Sequence, residues 1–566
     1  MKVKKTIRAK RVRAVKSLRR VKQIPKYIFV VGGVMSGVGK GITASSIGKI
    51  LQARGLSVTA LKIDPYINVD AGTMNPTEHG EVFVLADGYE TDQDMGNYER
   101  FMGLSLSREN YMTTGSVYKA VIERERNLEY GGRCVQVVPH IPEEVIGRIK
   151  RAAEHAKADV TIVEIGGTVG EYENILFLEA VRMLKIREPE NVITVIVSYV
   201  PTPSKVGEMK TKPTQHAVRT LNSAGIQPDF VVERASSPLD EKRKDKISIF
   251  CSVAKENVVS APDVESIYDV PINFEKDHLS TRIIKRLNLV PQGNNLSQWK
   301  RKVASISRFS SKVRIGIVGK YFKTGDYVLS DAYISVIESL KHAAYAVGVK
   351  PELVWLDASE YEKHREELSE LANFHGILIP GGFGSRGVEG KILAIEYCRT
   401  HKIPYFGLCY GMQLAVIEFA RHVARLTDAH TVEVAPNTAH PVIDLMPEQK
   451  EKLAKSEYGA TMRLGHYPAL LRGGTIAEVA YGEKRILERH RHRYEVNPAY
   501  IARLERAGLV FSGTSPDKRL MEIAELPREK HPFFLGTQYH PEFQSSLLAP
   551  HPLFVAFLKA ARDQKK

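Results

Sequence analysis

The sequence predicts an α/β protein built as two domains, and three observations lead there. Short apolar runs alternate with stretches of helical period, the alternation lapses once around residues 291–312 and then restarts, and glycine clusters follow several apolar runs where a strand would hand over to a helix. A chain of 566 residues, 43% hydrophobic and 26% charged, has ample material for two large cores without disulfide staples.

Taken in order, residues 1–26 hold seven Lys and five Arg and no acid, so most of the net charge of +16 belongs to this extension and the remaining body is nearly balanced. A basic, acid-free segment suits a solvated extension; contact with nucleic acid or an anionic membrane and a targeting role are the disfavoured alternatives, because it has one Ser, no aromatic before Tyr27 and no adjoining basic fold. YIFVV at 27–31 ends in Gly32-Gly33. A helical stretch from Gly41 to Arg54 and the strand SVTALKID follow, giving a β-loop-α-β opening. ADVTIVEIGG at 158–167 and NVITVIVSYV at 191–200 read as buried parallel strands. PQGNNLSQWKRKVASISRFSSK at 291–312 is polar and basic, and reads as a linker. Beyond it VRIGIVGK, PELVWLD, GILIPGG and PYFGLC are strands separated by helices such as YISVIESLKHAAYAV, which predicts a second doubly wound sheet. The expected divisions are a 1–26 extension, a 27–290 domain, a 291–312 linker and a 313–566 domain.

No stretch reaches the length of an apolar membrane span, and the N-terminus lacks the apolar core of a secretory signal, so a cytoplasmic protein without membrane contact is expected. The four cysteines, Cys134, Cys251, Cys398 and Cys409, have no CxxC spacing and predict neither a disulfide framework nor a zinc site. An important cysteine here would be a lone nucleophile.

Gly32-Gly33-Val34-Met35-Ser36-Gly37-Val38-Gly39-Lys40-Gly41 lies at a strand-to-helix junction, where backbone N–H groups cradle phosphates and Lys40 adds a point charge. Its spelling departs from the usual phosphate loop: the first glycine falls one place early, and Gly41 stands where a hydroxyl residue would help hold magnesium. Carboxylates must then come from elsewhere. Glu164 ends the apolar run VTIVE, and Asp94 sits in an acidic loop after EVFVLADG. Lys62–Asp70 and Lys210–Gln215 combine cations, small donors and a proline, and suit a second polyphosphate.

Gly407-Leu408-Cys409-Tyr410-Gly411 joins a strand to a helix in a G-x-nucleophile-x-G elbow. The helix N-terminus lowers the thiol pKa, and His540-Pro541-Glu542 after the strand FFLGTQY supplies a base and its orienting acid, provided that residues two apart in extended chain face the same way. Other histidines, His490 and His492 among them, keep that choice dependent on context. Pro380-Gly381-Gly382-Phe383-Gly384 would offer N–H groups to an oxyanion. Together these point to acyl transfer through a thioester on a small amide.

From Tyr27 to the C-terminus the chain resembles the CTP synthase family, an amidoligase domain of P-loop-like type fused to a doubly wound class I glutamine amidotransferase domain. GGVMSGVGKG, KIDPYINVDAGTMNPTEHGEVFV, ETDQDMGNYERF, VEIGGTVGEYEN, GEMKTKPTQH, PGGFGSRGVEG, GLCYGMQ, RHRYEVN and YHPEF carry the resemblance, in the family's order. It implies that Gly37, Val38, Gly39, Lys40, Gly41, Ile42 and Asp94 bind ATP, and that Asp94 and Glu164 bind Mg2+. Ser36, Glu171, Tyr172, Glu173, Lys210, Thr211, Lys212, Pro213, Thr214, Gln215 and Lys246 would contact UTP or the inhibitory product CTP. Gly382, Tyr410, Gly411, Met412, Gln413, Glu433 and Arg493 would bind glutamine, with Arg493 as the carboxylate clamp, and Cys409, His540 and Glu542 would form the triad. The implied reaction phosphorylates UTP at O4 with ATP, displaces that phosphate with ammonia from glutamine or from solution, and passes through a glutamyl thioester. GTP as allosteric activator and a homotetramer are further implications.

Two features depart from the family. Glu171 stands where Asp is usual, which bears on the strength of CTP inhibition, and the basic extension has no counterpart in compact forms. Rival readings are another glutamine-dependent amidoligase of the cobyrinic acid a,c-diamide synthase kind, disfavoured by KTKPTQH and DPYINVD; a nucleic-acid-binding P-loop ATPase, which would leave the elbow idle; and a filament-forming protein without catalysis, disfavoured by the intact nucleophile, base and phosphate lysine.

Overall fold

The computed structural model describes residues 24–75, 79–205, 207–320, 323–324, 327–328, 330–445 and 462–564; residues 1–23 of the basic extension lie outside the described residues. Seven strands form the first sheet: β1 (Lys26–Gly32), β2 (Val58–Asp64), β3 (Tyr111–Thr113), β4 (Val160–Thr168), β5 (Val192–Tyr199), β6 (Phe230–Ala235) and β7 (Val258–Pro262). Their order is β3-β2-β4-β1-β5-β6-β7, and every pairing is parallel. The apolar runs are continuous because both faces are covered: Ile28 and Val30 enter one core, while Tyr27, Phe29 and Val31 enter the other. Helix α1 (Lys40–Ala53) follows the glycine loop, as its sequence position requires. Asp94 does not lie in a loop but opens helix α2 (Asp94–Met102), whose carboxylate-first order suits a helix N-terminus. Helix α3 (Lys212–Ser223) starts within the Lys210–Gln215 segment, with Pro213 in its first turn.

The stretch 291–312 is not a plain linker. It contains helix α4 (Ser297–Ile306), which buries Trp299 and Val303 in the first domain's core, with Trp299 Nε1 donating to Tyr268 O at 2.9 Å. Its last residue already begins the next sheet. An amphipathic surface helix whose large apolar residues are only Trp299, Val303 and Ile306 carries too little hydrophobic signal to stand out from a polar connector.

The second sheet has nine strands: β8 (Lys312–Gly319), β9 (Lys350–Asp357), β10 (Gly376–Ile379), β11 (Tyr405–Leu408), β12 (Arg463–Leu471), β13 (Arg485–His492), β14 (Val510–Thr514), β15 (Met521–Glu525) and β16 (Phe534–Thr537). In the order β9-β8-β10-β11-β16-β15-β14-β12-β13, the first five are parallel and doubly wound, with helices α5 (Ile334–Val347) and α6 (Tyr410–His422) on opposite faces, and the last four continue antiparallel. The edge strand β13 turns its far side toward the first domain.

Candidate active site

In the first domain, the loop after β1 places Gly37 and Gly39 at φ 73° and 86°, left-handed conformations that glycine takes without strain. Lys40 follows at the start of α1 and donates to Gly167 O at 2.9 Å, so the loop and the end of β4 face each other. A Cβ on Gly41 would fall 2.4 Å from Asp94 Oδ1. The Asp94 carboxylate thus occupies the space that a side chain at position 41 would fill, which explains the glycine.

Asp94 and Glu164 converge on the Lys62 ammonium. Lys62 Nζ bonds Asp94 Oδ2, lies 2.8 Å from Glu164 Oε1, and is 3.7 Å from Asp64 Oδ1. Tyr98, one helical turn from Asp94, donates to Glu164 Oε2. Burial would lower the Lys62 pKa, but the carboxylates outweigh it and hold the amine protonated. Burial raises Glu164 against Lys62, whereas in Asp94 the burial effect is overcome by Lys62, leaving that carboxyl below its ordinary range. Two carboxylates already gathered around a positive charge are the hard donor set a magnesium ion requires, and the residues present fit it. Glu164 lies within β4 rather than at its end, because the strand runs on to Thr168.

The residues expected at the pyrimidine nucleotide divide into two groups. Thr211, Thr214 and Gln215 are buried at the start of α3, where Thr214 donates to the buried Glu233 at 3.0 Å, while Ser36, Glu171, Tyr172, Glu173, Lys212 and Lys246 are exposed. The loop stays near them, since a Cβ on Gly33 would meet Ala217 of α3. Lys210 is tied to Glu208 at 2.7 Å, and Glu208 to Arg243 on the same helix as Lys246.

In the second domain, Cys409 is the residue between β11 and α6, with φ 49° and ψ −99°. That left-handed backbone at a non-glycine residue stores strain and projects the sulfur from the turn. Gly407 and Gly411 make the turn possible: a Cβ on Gly411 would meet Ile379 O at 2.4 Å. His540 Nδ1 is 2.7 Å from Glu542 Oε1, and His540 stacks on Phe543. The pair does not lie in extended chain, as the sequence suggested; Pro541–Gln544 is a 3-10 turn, and it still brings the two side chains together. Burial opposes charging of His540, but Glu542 and Cys409 more than offset it and push its pKa up to about 10. Gly381 abuts this cluster, since its Cβ would sit 2.9 Å from His540 Cε1.

A cavity of about 330 Å³ joins these groups and spans the two domains. Its walls include Cys409, Tyr410, Gln413, Gly382, Glu433, Arg493, His540 and Glu542 from the second domain, with Gly72, Thr73 and Met74 from the first. Glu433 accepts from Gly384 N at 2.7 Å. Met412 is not among them, because its side chain packs in the core against Gly536. Sequence reading missed Arg491, whose carbonyl accepts from Cys409 Sγ at 3.7 Å, and Gln538, whose amide faces that sulfur at 3.8 Å. It also missed Tyr98, which the four-residue spacing from Asp94 on one helix face could have marked.

Comparison with known proteins bears on both halves. Residues 26–289 match the family described as CTP synthase N-terminus, and residues 328–560 match glutamine amidotransferase class-I. The CTP synthase of Thermococcus gammatolerans is 51% identical over 95% of this chain and 99% of its own. That of Picosynechococcus sp. is 51% identical over 95% of this chain and 96% of its own. With both halves matched in this order and the likeness running almost end to end, the chain belongs to the CTP synthase family.

Proposed function

We propose that this enzyme divides CTP formation between the two clusters, making ammonia at Cys409 and consuming it beside Lys40 and Lys62. In the glutaminase half, Cys409 Sγ bonds to the amide carbon of glutamine, and His540 takes the thiol proton and returns it to the departing nitrogen, which leaves as ammonia. Glu542 holds the imidazole by Nδ1 and stabilises its cation. The Pro380–Gly384 loop offers N–H groups to the oxyanion. Gly382, Tyr410, Gly411, Gln413 and Glu433 enclose the substrate, with the Arg493 fork on its carboxylate. Water then cleaves the thioester and glutamate departs.

In the synthase half, the Gly37–Gly39 loop and the first turn of α1, Lys40–Ile42, grip the ATP phosphates, and Ser36, Glu171–Glu173, Lys210–Gln215 and Lys246 receive UTP or CTP. Transfer of the terminal phosphoryl group to the uracil O4 turns that oxygen into a leaving group; ammonia bonds to C4 and phosphate departs. Magnesium held by Asp94 and Glu164 would neutralise phosphate charge when bound. GTP activation, CTP feedback, a homotetramer and a cytoplasmic setting belong to the same reading, and the family resemblance supports them.

The observation that carries this division is the cavity holding Cys409 and His540 on one wall and Gly72–Met74 of the synthase domain on the other. Cys409→Ala tests it. CTP formation from UTP, ATP and magnesium is expected to vanish with glutamine plus GTP and to persist with ammonium chloride; loss in both arms, from folded protein, would overturn the division.

A further inference from the structure

Strand β13 has one edge in the sheet, paired with β12, and among the described residues no strand pairs with its other edge. Residues two apart on a strand point the same way, so Arg489 and Arg491 share a face and their carbonyls share an edge. Both guanidinium groups reach the first domain, while Arg489 Nε also donates to His466 Nε2 of β12 at 3.4 Å. Arg489 Nη2 lies 2.8 Å from Glu99 Oε2, donates through Nη1 to Val84 O at 3.1 Å, and sits over the Phe83 ring; Arg491 Nε donates to Glu90 Oε1 at 2.8 Å. Both carbonyls meet the triad. His540 N donates to Arg489 O at 2.8 Å, and Cys409 Sγ faces Arg491 O.

The Arg489–Glu99 pair is the more enclosed, with side chains only 3% and 6% exposed. Glu99 is itself held, its second oxygen accepting from Leu106 N at 2.8 Å. It also stands on α2, the nine-residue helix that carries Asp94 and Tyr98 to the Lys62 cluster. A second contact runs in parallel, since Phe83 packs edge-on against Phe543, the ring stacked on His540. A buried ion pair of this kind gives little net stability over an apolar contact, but it fixes one geometry, because either charge left alone in the interior is costly.

We propose that Arg489, anchored by Glu99, is a positioning residue of the glutaminase, through which the synthase domain sets where His540 stands relative to Cys409. The chain of contact is short: α2 holds Glu99, Glu99 holds the Arg489 side chain, and the Arg489 carbonyl holds the His540 backbone. Movement of α2 at the nucleotide end therefore reaches the catalytic base through one residue. The proposal rests on the assignment of Cys409, His540 and Glu542 as the triad.

The test uses the full-length enzyme with Glu99→Gln, Arg489→Lys and the double variant. Glu99→Gln keeps the side-chain shape if the arginine variants fold poorly. Displacing a catalytic group by about 1 Å costs on the order of 10²-fold in rate, so kcat for glutamine hydrolysis is expected to fall about 10- to 100-fold, with KM for glutamine unchanged. CTP formation from ammonium chloride should hold, and the double variant should be no worse than the worse single one. A parallel fall in the ammonia reaction would mean a merely structural pair, and unchanged hydrolysis or additive losses would equally overturn the proposal. Cys409→Ala in the same series separates the two readings: if it keeps glutamine-dependent activity the triad itself is wrong, whereas an inactive Cys409→Ala beside an unaffected Glu99→Gln removes only the role of Arg489.

Discussion

Replacing Gly41 by alanine probes the proposed magnesium and ATP site with a single methyl group. The added Cβ would stand 2.4 Å from Asp94 Oδ1 and 3.0 Å from its Cγ. Non-bonded heavy atoms settle at about 3.5 Å, so the carboxylate has to retreat by roughly 1 Å from the start of α1. A displacement of that size costs on the order of 10²-fold in rate when the group is catalytic. The fold has no reason to suffer, because Gly41 lies in the first turn of α1, and alanine is better than glycine inside a helix by about 1 kcal/mol. Three assays on the same protein separate the effects: CTP formation with glutamine plus GTP and with ammonium chloride across a magnesium titration, glutamine hydrolysis, and thermal unfolding. Both CTP arms should fall about 100-fold and demand more magnesium, while hydrolysis and the unfolding midpoint hold. Retention of both arms at an unchanged magnesium requirement would refute the assignment of Asp94.

Removing divalent metal with EDTA should stop CTP formation from either nitrogen source and leave glutamine hydrolysis standing, with Glu164→Gln reproducing the loss in a form that added magnesium does not repair. Glu542→Gln should lower the His540 pKa from about 10. A raised folded-state His pKa contributes stability below the unfolded value near 6.5 that fades as pH rises toward about 10, so the variant's deficit in unfolding midpoint should be larger at pH 6 than at pH 9.5. Burial raises the Glu233 carboxyl to about 8. Its folded form binds a proton that the unfolded chain has released above about pH 4.3, and wild-type stability accordingly declines between that pH and about 8. Glu233→Gln, neutral throughout, should gain in midpoint over wild type at pH 8 and lose that gain at pH 5.

Local pattern made much of the fold legible. Continuous apolar runs such as VTIVE and VITVIVSY read as parallel strands because both sheet faces are buried, and the glycine loop and the cysteine elbow each announce a strand-to-helix junction. Helix α4 was not legible, since Trp299, Val303 and Ile306 spread through a basic segment resemble a connector until the core they fill is known. Nor was the antiparallel half of the second sheet: strand runs alone do not reveal their direction. Asp94 in a loop and His540 with Glu542 in extended chain were local geometries inferred from neighbours, and tertiary packing chose a helix N-terminus and a 3-10 turn instead, while still bringing Asp94 and Glu164 to Lys62 and His540 to Glu542.

By itself the sequence determined the candidate reactive groups and the order of the two domains: a lysine in a glycine loop, two acids, a cysteine between glycines, and a histidine with an acid two residues on. These are covalent facts, and the resemblance to one family attaches to them directly. The tertiary structure alone decided that the Asp94 carboxylate fills the space beside Gly41, that Lys62 gathers Asp94 and Glu164, and that Arg489 and Arg491 reach from the edge of one sheet into the other domain. Such contacts join residues tens to hundreds of positions apart. No local periodicity encodes them, because they depend on strand order and on which edge of a sheet is left free to face its neighbour.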